Sequence, residues 1–392
     1  MIRTFDTIIQ AISPDRLVVA LEATAFYPGG GGQPADGGTI AAVAVVEITR
    51  DNDGTIRHHL DYPLPEDLNV GDTVMGEINW PHRWEYMQQH TGQHLLSAVL
   101  MKEAGANTVS VHQGEKVTTI EVDRANLNDT AIQRVEEVAQ RVIAEKRLVR
   151  SFQIDSGELG RYSLRRPTGR TGIVRLVEIQ DFDIVACGGV HLEDTAEVQL
   201  VKTVGVESIR GNLRLAFLIG QRALADYGTK HRNITAAAEL FSTRPEQVPL
   251  RVTAMQEEVQ QLHRTVRLQN RRIAELLLRQ PEDPAGVRRY DNEPEDLFTA
   301  LVEVAAEDPL SRVALVNTRR DTGSIHWAIV FGEGENTSPF PQKVLREKLL
   351  KPLDARGGGR PPLWRGVVAA DKLEAFIAGF LKILQEEQAP SH

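Results

Sequence analysis

The side chains best equipped for chemistry are three histidines and one cysteine. His90 and His94 stand four residues apart in HTGQH, and Cys187 and His191 repeat that spacing in CGGVH. On a helix, residues at i and i+4 leave from one face, so His90 and His94 can share a metal ion. Cys187 is the only cysteine of the chain. Three imidazoles and one thiolate form a tetrahedral donor set typical of zinc, whose protein ligands are nitrogen and sulfur. Copper and iron fit less well, because no axial methionine or carboxylate stands beside either motif. Spacing alone leaves a closed structural zinc and a catalytic zinc as equal readings. The backbone N–H groups of Gly188 and Gly189 could meet a developing oxyanion, and a tight turn that needs glycine φ angles is an equal reading.

These residues require elements to hold them. Trp84, Met87, Leu95, Ala98, Val99 and Met101 recur at helical spacing, which predicts a helix over 84–104 carrying both histidines and ending at Gly105. A strand at 117–122 and a helix from about 127 to 146, capped by Asn126 or Asn128, should follow. Residues 173–186 read as two strands that deliver Cys187, with further strands near 197–202 and 212–219. Upstream, LVVALEA and AAVAVVEIT are β-rich runs separated by FYPGGGGQPADGG, whose four consecutive glycines, Gly29 to Gly32, form a loop.

Helical patterns return at 220–240 and, after a break at Pro245 and Pro249, continue to about 280. In the second of these, Val252, Met255, Val259, Leu262, Val266, Gln269, Ile273 and Leu276 alternate spacings of three and four, as coiled-coil a and d positions do. Residues 281–296 read as a linker. Strands at 313–318, 325–331 and 365–370 then alternate with helices near 341–351 and 371–386, as in a small α/β domain. The expected class is α+β, with a β-barrel-like domain at 1–80, a zinc-binding domain at 81–225, a helical coiled-coil arm at 226–282 and a C-terminal α/β domain at 290–392.

Length and composition agree with this division. The 392 residues exceed what one core usually organises. With 45 basic against 54 acidic side chains the net charge is −9, which excludes a uniformly basic nucleic-acid binder but not a local basic patch. A single cysteine excludes an intrachain disulfide scaffold. Neither a signal-peptide core nor a membrane-spanning run is present, so a cytoplasmic protein with no membrane partner is expected.

Taken in order, FYPGGGGQPADGG, HTGQHLLSA and VRLVEIQDFDIVACGGVHLEDTAEV resemble the alanyl-tRNA editing proteins and the editing domain of alanyl-tRNA synthetase over roughly residues 1–220. The resemblance implies one zinc ion bound by His90, His94, Cys187 and His191. It implies hydrolysis of the ester in tRNA(Ala) wrongly charged with serine or glycine. Gln93, Gly188 and Gly189 fall to the catalytic group in this reading. Thr24, Gly30, Gly31, Gly32, Gln33 and Arg175 fall to substrate binding, with Thr24 at the position implicated in serine recognition. A site that hydrogen-bonds the serine hydroxyl can reject alanine, which lacks it.

The remainder is similar in layout to the C-terminal region of alanyl-tRNA synthetase, a helical arm followed by a DHH-associated domain. GGGRP at 357–361 matches that domain's glycine signature, whereas LWRGVV replaces the expected second glycine pair. On the arm, Arg264, Arg267, Arg271 and Arg272 form a basic stripe, and with Arg360 they are expected to contact tRNA. Arg161, Arg165, Arg166, Arg170 and Arg175 make a second cluster. A homodimer through the arm or the C-terminal domain would fit the heptads. Because strands begin directly after Met1, we expect an editing enzyme acting in trans rather than a synthetase fragment. The competing reading is a non-catalytic tRNA-binding protein with a structural zinc.

Overall fold

The computed structural model describes residues 1–280, 286–332 and 342–388. Contacts divide the chain into two compact units, Met1–Ala236 and Ala237–His392.

The first unit opens with a closed barrel. Its strands are β1 (Thr4–Ile12), β2 (Val18–Leu21), β3 (Gly38–Ile40), β4 (Val43–Arg50), β5 (Ile56–Leu60) and β6 (Thr73–Ile78), in the order β1-β2-β5-β4-β3-β6. Closure removes the unpaired edges that an open six-stranded sheet would present. Ile9, Val19, Ile40, Val45, Ile48, Leu60, Val74 and Ile78 fill the interior. The four-glycine segment leaves this barrel between β2 and β3 as an irregular loop. Every one of Gly29 to Gly32 has a positive φ, between 61° and 126°, which explains the unbroken run of glycine.

Helix α1 (Trp80–Ala104) follows. Asn79 caps its start by accepting from His82 N, Pro81 occupies the first turn, and Gly105 closes it at φ 60°. The helix begins earlier than residue 84 because this cap lies outside the apolar pattern. It is enclosed on all sides: every residue from Tyr86 to Leu100 is buried.

Around α1 lie β7 (Thr108–Gln113), β8 (Thr118–Val122), α2 (Asp129–Ala144, capped by Asn128), β12 (Val201–Ile209) and β13 (Asn212–Ile219), introduced with β9 (Val149–Asp155), β10 (Ile173–Ile179) and β11 (Asp183–Ala186) between them. Strands β12-β13-β8-β7 form one antiparallel sheet and β11-β10-β9 another. The strand expected at 197–202 is instead a 3-10 turn at Thr195–Val198 followed by β12, with Asp194 capping the turn.

Helix α3 (Gln221–Leu240) ends the first unit and enters the second, which continues with α4 (Val248–Leu278). The expected break between the two helices falls between Leu240 and Val248, and Pro249 sits in the first turn of α4, where a missing N–H costs nothing. A five-stranded sheet, β14-β15-β16-β18-β17, follows, built from β14 (Val287–Asp291), β15 (Arg312–Arg319), β16 (Ser324–Phe331), β17 (Arg356–Arg360) and β18 (Leu363–Ala369). Helix α5 (Glu295–Ala306) packs on one face, and a short helix α6 (Gln342–Val344), its π-helical continuation Leu345–Leu350 and α7 (Leu373–Gln388) pack on the other.

Part of the segment read as a linker is therefore structured. Val287–Asp291 pairs in parallel with β15, and α5 starts at Glu295, while 281–285 lie outside the described residues.

Candidate metal and active site

Two distant segments meet at one point. One ligand atom from each of His90, His94, Cys187 and His191 lies within 4.8 Å of the others. Cys187 Sγ is 3.4 Å from both His90 Nε2 and His191 Nε2. A tetrahedral zinc with Zn–N near 2.1 Å and Zn–S near 2.3 Å would have ligand–ligand edges of roughly 3.4–3.6 Å, which the two Cys187 edges match, while the set as a whole spans up to 4.8 Å.

The far nitrogens of two imidazoles are held from behind. His90 Nδ1 donates to Gln33 Oε1 at 2.6 Å, and the same oxygen accepts from Val190 N at 3.0 Å. His191 Nδ1 lies 3.2 Å from Thr91 Oγ1, which accepts from Leu192 N at 3.0 Å. The amide oxygen fixes the proton on His90 Nδ1, so its Nε2 presents a lone pair to the cluster, and Thr91 orients the His191 ring. Burial moves the imidazoles the same way. It lowers His90 to about 4, assisted by the nearby Arg175 charge, and holds His94 and His191 well below 6.5. Burial raises the Cys187 thiol, opposed by the Gly189 N–H and by Arg175, Arg170 and Arg165.

Glycines in CGGVH serve a different end from a turn. Neither Gly188 nor Gly189 has a positive φ. A side chain at Gly189 would overlap the His90 ring and Gln33 Oε1, whereas one at Gly188 would meet open space. The Gly189 N–H donates to Cys187 Sγ at 3.4 Å. Arg175 donates to the carbonyl oxygens of Cys187 and Gly189, both at 2.8 Å, and so clamps the ligand-bearing segment.

A cavity of about 370 Å³ opens beside the cluster. It is lined by His90, His94, Cys187, Gly188, Gly189 and Gln93, together with Gly29, Gly30 and Gly31, Tyr27, Thr108 and four arginines, Arg50, Arg165, Arg166 and Arg170. Gln93 also donates to Ser97 Oγ. A side chain at Gly32 would press on Val111 O, 3.2 Å from its Cβ. Thr24 is not among the lining residues. Its hydroxyl accepts from Phe26 N at 3.1 Å and contacts His58 Nε2 at 3.0 Å, while His58 Nδ1 lies 3.1 Å from Val19 O. Gln33 is likewise absent from the lining, because its oxygen is committed behind His90.

Several contributors escape a sequence reading. Thr91 lies inside HTGQH, and its burial on an all-enclosed helix is the signal that could have marked it. Arg83 and Asp36 form a buried ion pair that ties the glycine loop to α1, and Asp36 also accepts from Tyr27 N. Arg165 pairs with buried Asp183 at 2.9 Å. Burial raises the Asp183 carboxyl, and Arg165 pulls it back.

Residues 174–215 match the family described as the threonyl and alanyl tRNA synthetase second additional domain. That span contains Cys187 and His191. An alanine–tRNA ligase of Ignicoccus hospitalis is 33% identical over 368 residues, covering 90% of this chain and 38% of the ligase. An alanyl-tRNA editing protein of Xenopus laevis is 30% identical over 250 residues, covering 63% of this chain and 60% of that protein. The chain is a homologue of alanyl-tRNA synthetases and alanyl-tRNA editing proteins. It spans less than two thirds of the length of each of these relatives. A Pyrococcus abyssi alanine–tRNA ligase extends the similarity to 93% of this chain at 26% identity.

In the second unit, the predicted tRNA-contacting arginines divide. Arg271 is bound to Glu307 at 2.5 Å and to Glu275 at 3.3 Å, so its charge is locally answered. Arg264, Arg272 and Arg360 are exposed, and Arg267 lines a shallow cavity with Asp296 and Glu303. The apolar positions from Val252 to Val266 on α4 are all exposed, Leu262 by 55%. Among the described residues, no helix is long and apolar enough to cross a membrane.

Proposed function

We propose that the chain is a zinc-dependent aminoacyl-tRNA hydrolase that removes serine or glycine from mischarged tRNA(Ala), acting in trans. The observation that carries this reading is the convergence of His90, His94, Cys187 and His191 on one point at the wall of a cavity. Four protein donors would fill a tetrahedral zinc, so catalysis there requires the shell to expand or exchange a ligand, and three of the four ligands border open space where a substrate can enter. The volume is at the lower end of the ~300–1,000 Å³ usual for ligand sites. That suits a small aminoacyl group and a terminal nucleoside.

A zinc ion bound there would supply Lewis acidity and a lowered water pKa. The remaining chemistry belongs to the chain. Gln33 and Thr91 hold the His90 and His191 rings, Arg175 holds the Cys187 carbonyl, and Gln93 and Gly188 stand at the cavity wall. Thr24 and the glycine loop remain our assignment for the substrate's small side chain. Arg264, Arg267, Arg272 and Arg360 are assigned to tRNA phosphates, and the exposed seam of α4 to a second copy of the chain.

The test is deacylation of tRNA(Ala) charged with serine, glycine or alanine, using zinc-loaded protein alongside Cys187→Ala and His90→Ala. Loss of turnover together with zinc is expected. If zinc-loaded wild type left the serine and glycine esters intact while still binding tRNA, the non-catalytic reading would replace this one.

A further inference from the structure

The cavity beside the ligand cluster has an unusual charge for an acidic protein. Four arginines line it, and among the described residues no carboxylate does. Two nearby guanidiniums have structural duties: Arg165 is paired with Asp183, and Arg175 is bound to two carbonyls. The other three do not. Arg50, at the end of β4, and Arg166 and Arg170, in the loop before β10, are exposed, and among the described residues their guanidiniums make no ion pair or hydrogen bond.

An aminoacyl ester carries a cationic ammonium, which such a rim repels. The anionic group nearest the ester in an aminoacyl-tRNA is the phosphodiester of the terminal nucleotide. Guanidinium forks match phosphate oxygens in geometry as well as charge. We propose that Arg50, Arg166 and Arg170 form a binding site for the 5′-phosphate of the substrate's terminal nucleotide, placing the 3′-ester at the His90–Cys187 cluster. The proposal rests on the hydrolase reading for the identity of the ester, but the phosphate site itself can be tested without turnover.

Titration calorimetry on the zinc-loaded full chain would compare adenosine with adenosine 5′-O-methylphosphate, whose single charge copies the diester. Wild type should bind the phosphorylated compound about 10- to 100-fold more tightly, the range for hydrogen bonds to charged groups. The Arg50→Gln/Arg166→Gln/Arg170→Gln variant, with zinc content and circular dichroism checked, should bring that ratio close to one. Equal binding of the two compounds by wild type, or an unchanged ratio in the variant, overturns the proposal. So does a variant that loses affinity for free L-serine alone, because the arginines would then hold a carboxylate. A phosphate preference with no deacylation of Ser-tRNA(Ala) would leave the phosphate site standing and remove the hydrolase reading.

Discussion

Replacing Gln33 with leucine removes one oxygen and strands two buried donors. In the native chain that oxygen accepts from His90 Nδ1 at 2.6 Å and from Val190 N at 3.0 Å, with Gln33 itself only 3% exposed. Leucine occupies similar space and accepts nothing. Each unsatisfied buried donor costs about 1–3 kcal/mol, so the local penalty is about 2–6 kcal/mol if His90 keeps its position. The ring escapes part of that penalty by turning, which moves Nε2 away from Cys187 Sγ. Loss of such an outer partner weakens metal affinity by about 10- to 100-fold. Competition against a chromophoric chelator measures this directly, with Gln33→Glu as the control that keeps an acceptor. We expect Gln33→Leu to weaken zinc binding within that range and Gln33→Glu to stay within a few-fold of wild type. Unchanged zinc affinity in Gln33→Leu, with altered selectivity between serine and alanine esters, would refute the positioning role and make Gln33 a substrate contact.

Gly189→Ala should lose zinc by more than about tenfold, since its Cβ overlaps the His90 ring, while Gly188→Ala, facing open space, should keep it; metal analysis after gel filtration decides. Metal-free protein should weaken in acid. His90 is lowered to about 4, so below the unfolded value near 6.5 only the unfolded chain takes up the proton; stability is therefore lost as pH falls from about 6.5 to about 4. His90 alone accounts for up to about 3 kcal/mol, with His94 and His191 acting in the same direction. Urea midpoints at pH 7.5, 5.5 and 4.5 would show it, and a constant midpoint would contradict it. On α4, Leu262→Glu/Val266→Glu should weaken any self-association by at least about 100-fold, because each apolar side chain contributes about 1.5–3 kcal/mol when buried; sedimentation equilibrium of both proteins is the check.

The elements that carry the chemistry could be read from residue types, and those that support it could not. His90 and His94 announce themselves by spacing, and the β11 turn by its terminal Cys187. The barrel appeared only as two apolar runs, because β1 and β6 interleave exposed with buried positions and β3 and β5 are only three and five residues long. Strand β14 was hidden by the proline- and charge-rich segment around it, since parallel pairing with β15 is a long-range fact that no local pattern records. The role of Gln33 was obscure for a related reason. Its partners, His90 and Val190, are 57 and 157 positions away. On α4 the heptad positions from Val252 to Val266 are exposed while Ala274, Leu277 and Leu278 pack with α5, because a seam specifies a complementary surface without naming it.

The positions of the four ligands do not depend on a metal to bring them together. Leu192 N is bonded to Thr91 Oγ1, Thr195 N to Arg147 O and Val149 N to Glu193 O, so the segment after Cys187 is fastened to α1 and to the start of β9 by the chain's own bonds. Helix α1 is seated in a core that includes Leu95, Leu96, Val99, Ile120, Leu215 and Phe217, each at most 1% exposed. A zinc finger lacks such a core and unfolds without its ion. Here the apolar packing already meets that need, which frees the donor set to border a cavity. The four arginines fit the same logic, because a −9 chain that concentrates guanidiniums at one opening raises the local concentration of an anionic substrate there while repelling it elsewhere. The residues that hold the ligands and those that attract the substrate are therefore different sets, and substitutions in one should leave the measurable signature of the other intact.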